Sequence, residues 1–151
     1  MDHLLDLGLT CITVLDVSGG ALARARRRLA ERAGLVTWIE ADVTGQWTPP
    51  AVDVWHDRAV LHFLTKVEQR EAYVRHVHAA IKMGGSAIIG TFALDGPAKC
   101  SGLPVERYSA TTIAMLLGSA FELADAIGEL HRTPAGGQQA FSFARLVRVR
   151  T

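Results

Sequence analysis

The chain has 151 residues, about half of them apolar, and Lys+Arg 16 against Asp+Glu 15 leave a formal net charge of +1. One domain over residues 1–151 with a sizeable core is the expectation, and the even charge balance speaks against a general nucleic-acid binder or a binder of anionic membranes. Two cysteines, Cys11 and Cys100, have neither metal-ligand spacing nor the density of a disulfide framework, and no apolar run is long enough for a bilayer, so a soluble, reduced, cytoplasmic protein without a metal is expected.

Met1–Leu7 (MDHLLDL) reads as the last turns of an amphipathic helix, with Gly8 as its stop. Thr10–Asp16 (TCITVLD) is short, β-branched and almost wholly apolar, as in a strand buried on both faces of a parallel sheet, with Cys11 as an inert core residue. Ser18 can cap the helix that follows, and Gly19-Gly20 allow a tight junction close to a ligand. The basic run Arg24–Arg28 lies on that helix opposite Leu22, Ala25 and Leu29, as a solvated face or a partner surface. Val36–Glu40 (VTWIE) is the next strand, running into Ala41-Asp42-Val43, and Trp47-Thr-Pro-Pro is a loop. Val52–His56 is a further strand, with His56 as strand-end packing. Val67–Lys82 carries a helical stripe through Tyr73, Val77 and Ile81, ended by Gly84-Gly85. Ser86–Phe92 (SAIIGTF) is a buried strand, Asp95–Tyr108 a long loop, and Ser109 caps a helix to about Leu117. Phe121–Asp125 and Ala140–Val149 read as two last strands, the final one alternating through Phe141, Phe143, Arg145, Val147 and Val149 as a half-exposed antiparallel strand does.

Strands that alternate with helices imply an α/β domain, and such sheets bind ligands beyond the carboxyl ends of their strands. The residues there are Asp16-Val17-Ser18, Asp42-Val43, Asp57-Arg58 and Thr91-Phe92-Ala93. A carboxylate after the second strand of such a domain can accept two hydrogen bonds from a ribose diol, and one after the next strand can accept from the exocyclic amine of adenine while the Val43 N–H donates to the ring. The plainer alternative is that each acid only caps the segment after it.

The series VLDVSGGALARARRRL, VTWIEADVT, VDVWHDRAVLHFL and IKMGGSAIIGTF resembles the class I S-adenosylmethionine-dependent methyltransferases. The resemblance implies a Rossmann-like, doubly wound, mostly parallel sheet with a C-terminal antiparallel strand pair, and S-adenosyl-L-methionine as cofactor. It implies Asp16, with Val17 and Ser18, at the ribose and Asp42, with Val43, at adenine. It places Asp57 and Arg58 beside the methionine part and the methyl group. Lys82-Met83-Gly84-Gly85 stands where that family has a Lys-Pro-Gly-Gly turn. In such proteins the glycine-rich loop follows the first strand, roughly 20 residues before the ribose acid. Counting back from Asp16 puts that loop upstream of Met1, so a sheet lacking its usual first strand is expected, from a fragment, a mis-started chain or one that closes the gap by re-pairing strands or dimerising.

Methyl transfer from a sulfonium asks the protein chiefly for positioning and exclusion of water, and a weakly acidic acceptor calls for a base as well. Candidates by position are His62, a helical turn beyond Arg58, together with Tyr108 and His131, the last in a turn between the two final strands. The loop after the fifth strand of the family pattern offers Lys99, Cys100 and Arg107 as substrate contacts, and it reads as a lid or substrate wall. With no appended recognition domain, a small-molecule acceptor is expected. Two other readings stay open. One is a catalytically inactive methyltransferase-like binding or dimerisation module. The other is a short-chain dehydrogenase, which needs a Lys four residues after its catalytic Tyr, where Val77 and Thr112 stand after Tyr73 and Tyr108.

Overall fold

The computed structural model describes residues 1–133 and 136–150. They fall into two units, Met1–Trp47 and Thr48–Thr151, and the architecture is α/β and Rossmann-like. In the first unit, α1 (Asp2–Asp6) ends ahead of Gly8, whose φ of 81° marks the expected stop. Strand β1 (Ile12–Asp16) leads into α2 (Gly19–Leu29), capped by Ser18, whose Oγ accepts the Ala21 N–H at 3.2 Å. Strand β2 (Val36–Glu40) runs parallel to β1, with Asp16 in register with Glu40. Leu22 and Leu29 are buried, and Arg24, Arg26, Arg27 and Arg28 face solvent, with Arg28 reaching Asp2 at 2.9 Å.

β1 pairs with β2 alone among the described residues. Its burial differs from the expected double cover: Thr13 is exposed and Ile12, Val14 and Leu15 are only half-buried. Cys11 is exposed rather than a core residue, because the strand begins one residue after it.

In the second unit, β3 (Val52–Arg58) pairs parallel with β4 (Ile81–Phe92). β8 (Gln138–Arg148) pairs antiparallel with β4, and β7 (Phe121–Arg132) antiparallel with β8, giving the order β3-β4-β8-β7. Between β3 and β4 lies α3 (Val67–Ala80). Between β4 and β7 lie a small hairpin, β5 (Lys99–Cys100) with β6 (Leu103–Pro104), and α4 (Ala110–Leu117), which has Ser109 and Thr112 as a reciprocal cap. Helix α3 is shorter than its stripe suggests. It stops at Ala80, and Ile81 already pairs with Val52 as a strand residue. The Arg148 guanidinium donates to the carbonyls of His78 and Ile81, satisfying groups a helix end leaves open. Gly84 and Gly85 therefore form an irregularity inside β4: Gly84 has φ 76°, and a Cβ on Gly85 would lie 2.8 Å from the Asp53 carbonyl.

Side chains alternate across the sheet. Trp55, Asp57, Ala87, Ile89, Thr91, Ala144 and Leu146 share one face with α3. There Tyr73, Val77, Ile113 and Leu117 are sealed from water, and His78 Nε2 donates to the Leu117 carbonyl at 2.8 Å. The opposite face carries His56, Arg58, Gly90, Phe92, Phe141 and Phe143. His56 is exposed on that face rather than packed at a strand end. The alternation expected of β8 holds only in part, since Phe141, Ala144 and Leu146 are its buried residues.

Candidate functional site

Asp16 is the last residue of β1, and its Oδ1 accepts the Ser18 N–H at 2.8 Å. The Asp16-Val17-Ser18 segment is thereby a hydrogen-bonded turn that both ends the strand and starts the helix. Val17 is 71% exposed, and Asp16 Oδ2 has no bond among the described residues. Asp42, two residues past the register partner of Asp16, accepts from the Thr44 N–H and the Thr44 hydroxyl on Oδ1, both at 2.7 Å. The backbone bond first, then the hydroxyl, holds its carboxyl below the ordinary range, and it stays exposed. Val43 is buried, and its carbonyl accepts from Trp47 Nε1 at 3.4 Å. Each acid thus makes the local capping bond with one oxygen and leaves the other open. A diol and an amine are the groups such half-engaged carboxylates can take, and the positive end of α2 favours negative charge beside it.

Glu40 belongs to this group and escaped the sequence reading. A Cβ on Gly19 would lie 2.5 Å from Glu40 Oε2, so the glutamate carboxylate rests on the bare backbone that opens α2. The readable signal was an acid at the last position of β2 facing a Gly-Gly helix start.

Asp57 is placed otherwise than expected. It is buried, and its carboxylate accepts the Val60 N–H at 2.9 Å, the Leu61 N–H at 3.0 Å and the Tyr73 hydroxyl at 2.7 Å. Burial pushes its carboxyl up, against the lowering pull of those three donors. The same burial, reinforced by the Asp57 charge, pushes the Tyr73 hydroxyl far up. Asp57 organises the turn in which Ala59 has φ 67°, and no open oxygen remains for a substrate or a cofactor.

His62 is also corrected. It is fully buried, and burial lowers its pKa to about 4. Nδ1 accepts the Phe92 N–H at 3.4 Å, which assigns the proton to Nε2, and Nε2 finds no partner among the described residues. A base needs an open lone pair near the acceptor, and this imidazole has none. Its place is the sheet edge. The Ala59 N–H donates to the Gly90 carbonyl at 2.8 Å, and the next groups along β4 are the amide and carbonyl of Phe92. His62 takes the first, and the Tyr108 N–H donates to the second at 3.0 Å, while the Glu106 N–H donates to the His62 carbonyl at 2.8 Å. Tyr108 is buried, which pushes its hydroxyl up and away from use as a base.

Arg58 and His131 do come together, around Phe141. The Arg58 guanidinium lies 5.6 Å from the Phe141 ring centre, and His131 meets that ring edge-on at 6.2 Å. Phe92 stands against Phe141 at 4.9 Å and Phe143 stacks beside it at 5.9 Å. A Cβ on Gly90 would lie 2.3 Å from Phe143, so the glycine lets that ring lie flat on β4. His131 is a residue of β7 in register with Gln139, not part of a turn, because the hairpin extends to Arg132. Of the turn expected there, Pro134 lies outside the described residues. Lys99 and Cys100 sit on the β5–β6 hairpin, paired with Pro104 and Leu103, and neither shares a bond or ring contact with the Phe141 group among the described residues. Arg107 donates to the Gly96 carbonyl at 3.3 Å within the same loop. Among the described residues no cluster of His, Cys, Asp and Glu could hold a metal ion, and no helix is long and apolar enough to cross a membrane.

The family described as a methyltransferase domain matches residues 2–87, more than half of the chain. The chain belongs to the S-adenosylmethionine-dependent methyltransferases. The cofactor of that family is S-adenosyl-L-methionine. Solved structures share the methyltransferase fold. The N-methyltransferase NodS from Bradyrhizobium japonicum WM9 is 20% identical, with a TM-score of 0.73 over 93% of this chain and 74% of its own. An S-adenosylmethionine-dependent methyltransferase from Mesorhizobium loti is 20% identical, with a TM-score of 0.72 over 97% of this chain and 84% of its own. The 1,6-didemethyltoxoflavin-N1-methyltransferase of Burkholderia thailandensis, solved with 1,6-didemethyltoxoflavin and S-adenosylhomocysteine bound, is 19% identical, with a TM-score of 0.72 over 98% of this chain and 65% of its own. No curated protein matches the chain.

Proposed function

We propose that this methyltransferase transfers a methyl group from S-adenosyl-L-methionine to a small-molecule acceptor, with residues 1–151 acting as one catalytic domain. The observation that carries the reading is the pair of half-engaged carboxylates, Asp16 and Asp42, at neighbouring parallel strand ends, each with Oδ1 fixed by its own turn and Oδ2 open. When bound, the cofactor supplies a methyl group already activated on a sulfonium sulfur. Asp16 holds the ribose hydroxyls through Oδ2, with Val17 and Ser18 beside them, and Asp42 takes the adenine amine above the buried Val43. Arg58 and His131 flank the buried Phe141 ring and carry the acceptor side. His131, half-buried at its rim, replaces His62 as the candidate base, and the loop bearing Lys99, Cys100 and Tyr108 forms a substrate wall.

The test is calorimetric titration of the chain and of Asp16→Ala with S-adenosylhomocysteine. Micromolar binding by the wild type is expected, weakened by roughly 1–3 kcal/mol in the variant, the scale of charge-assisted bonds lost. A chain that is folded by circular dichroism but binds nothing would refute the reading in favour of an inactive methyltransferase-like module.

A further inference from the structure

We propose that β7 is the contact strand of a symmetric homodimer, in which two copies of the chain pair antiparallel along this edge about Gly128 and join their sheets. The proposal does not depend on methyl transfer.

β7 is the last strand in the order β3-β4-β8-β7, and β8 is its only partner among the described residues. One side of a 12-residue strand therefore presents unpaired N–H and C=O groups. Every residue from Glu122 to Leu130 is exposed, with Ile127 at 61% and Leu130 at 59% on opposite faces. A Cβ on Gly128 would meet nothing within 4 Å, so the chain leaves that face bare at mid-strand. Edge strands are ordinarily guarded by lysine, proline, shortness or a bulge. β7 has neither lysine nor proline, and its irregularity, between Leu123 and Asp125, lies near its start. A regular edge from Asp125 to Arg132 remains open.

That edge is complementary to itself. A two-fold axis normal to the sheet keeps each side chain on its own face only where it passes through a residue. At Gly128 it sets Asp125 opposite the partner's His131, Ala126 opposite the partner's Leu130, and Ile127 opposite the partner's Glu129, each pairing occurring twice. Asp125 Oδ1 accepts its own Ala126 N–H at 2.9 Å and Oδ2 is open, while Arg145, across from it on β8, forms no ion pair with it. His131 makes a ring contact with Phe141 but no hydrogen bond among the described residues. One of its nitrogens can donate to the open carboxylate oxygen, and the other stays free for the role proposed above. An axis at Ile127 would set Asp125 against Glu129, and one at Glu129 would set two glutamates together, both of which oppose pairing. An axis at Ala126 runs the ladder into the bulge, and one at Leu130 shortens it.

The test is sedimentation equilibrium of the full chain. One strand pairing buries less than the roughly 1,200 Å² of a standard interface, so a reversible dimer of micromolar dissociation constant is expected. His131→Glu, which sets an acid against Asp125 at both ends, is expected to weaken it about tenfold, and adding Asp125→Asn to recover most of that loss. In a chain with Cys11→Ser and Cys100→Ser, Gly128→Cys should be joined to its copy by a short bismaleimide. Glu122→Cys, roughly 40 Å from its copy in this register, should not. Circular dichroism checks that each variant folds, and the cross-link decides the matter should His131→Glu fail to fold. A wild type that stays monomeric, a dimer that folded His131→Glu leaves equally tight, a double variant no tighter than His131→Glu, or a Gly128→Cys chain that does not cross-link would each overturn the proposal.

Discussion

Acidification should destabilise this protein through His62, by an amount the structure sets. In the folded chain the imidazole is sealed, and its pKa is lowered from an ordinary 6.5 to about 4 by burial. The unfolded chain exposes it, and it then takes a proton near its ordinary value. Between those two pH values the unfolded state binds more protons, so stability rises with pH across the window. The contribution is complete above about 6.5 and is lost as pH falls toward about 4. At about 1.4 kcal/mol per pH unit, the linkage reaches about 3 kcal/mol. For a chain of this size that is roughly 6–12 °C in melting temperature. The control is His62→Asn, whose side-chain oxygen can still accept the Phe92 N–H but does not titrate. Melting curves of both proteins from pH 4 to 7 cancel every other titrating group, including Asp57. The wild type should show the extra slope, and the His62 ring in NMR should titrate near 4 with its proton on Nε2. Parallel pH profiles for the two proteins, or a His62 midpoint near 6.5, would refute the reasoning.

Other outcomes follow from the same geometry. Asp57→Ala leaves two backbone N–H groups and the Tyr73 hydroxyl without their acceptor in a buried place, so urea unfolding should show a loss of roughly 3–6 kcal/mol, with Asp57→Asn losing less. Gly90→Ala puts a methyl group 2.3 Å from the Phe143 ring, and should cost about 1–3 kcal/mol by the same measurement, recovered when combined with Phe143→Leu.

What was legible in the sequence was whatever depends on neighbours. Ser18 and Ser109 announce α2 and α4 because a capping hydroxyl acts on an amide three residues away, and both caps form as read. Asp16 and Asp42 could be singled out because a strand-end acid bonds its own turn, two residues on. The errors lie where a distant partner decides. Asp57 was read as an open carboxylate, but Tyr73 of α3 and the turn after β3 claim it. His62 was read as a base, but the Phe92 amide thirty residues on holds its lone pair. The end of α3 is set by Arg148 on the last strand, which no local pattern around Ala80 contains. His131 was placed in a turn because the strand before it was read as ending at Asp125, whereas cross-strand pairing carries β7 on to Arg132. Cys11 was taken as core because its neighbours are apolar, yet a strand paired on one side leaves its first residues in water.

The way β4 ends has an evolutionary consequence. Its final amide and carbonyl are answered by an imidazole and by Tyr108, not by a longer β3. Everything from Asp95 to Pro104 therefore hangs between two anchored points, and its length and composition can change without disturbing a single ladder bond of the sheet. Lys99, Cys100 and the short hairpin they belong to occupy that replaceable stretch. If the loop forms the proposed substrate wall, descendants of this chain can exchange it while inheriting the framework unaltered, and divergence in substrate choice should be sought there.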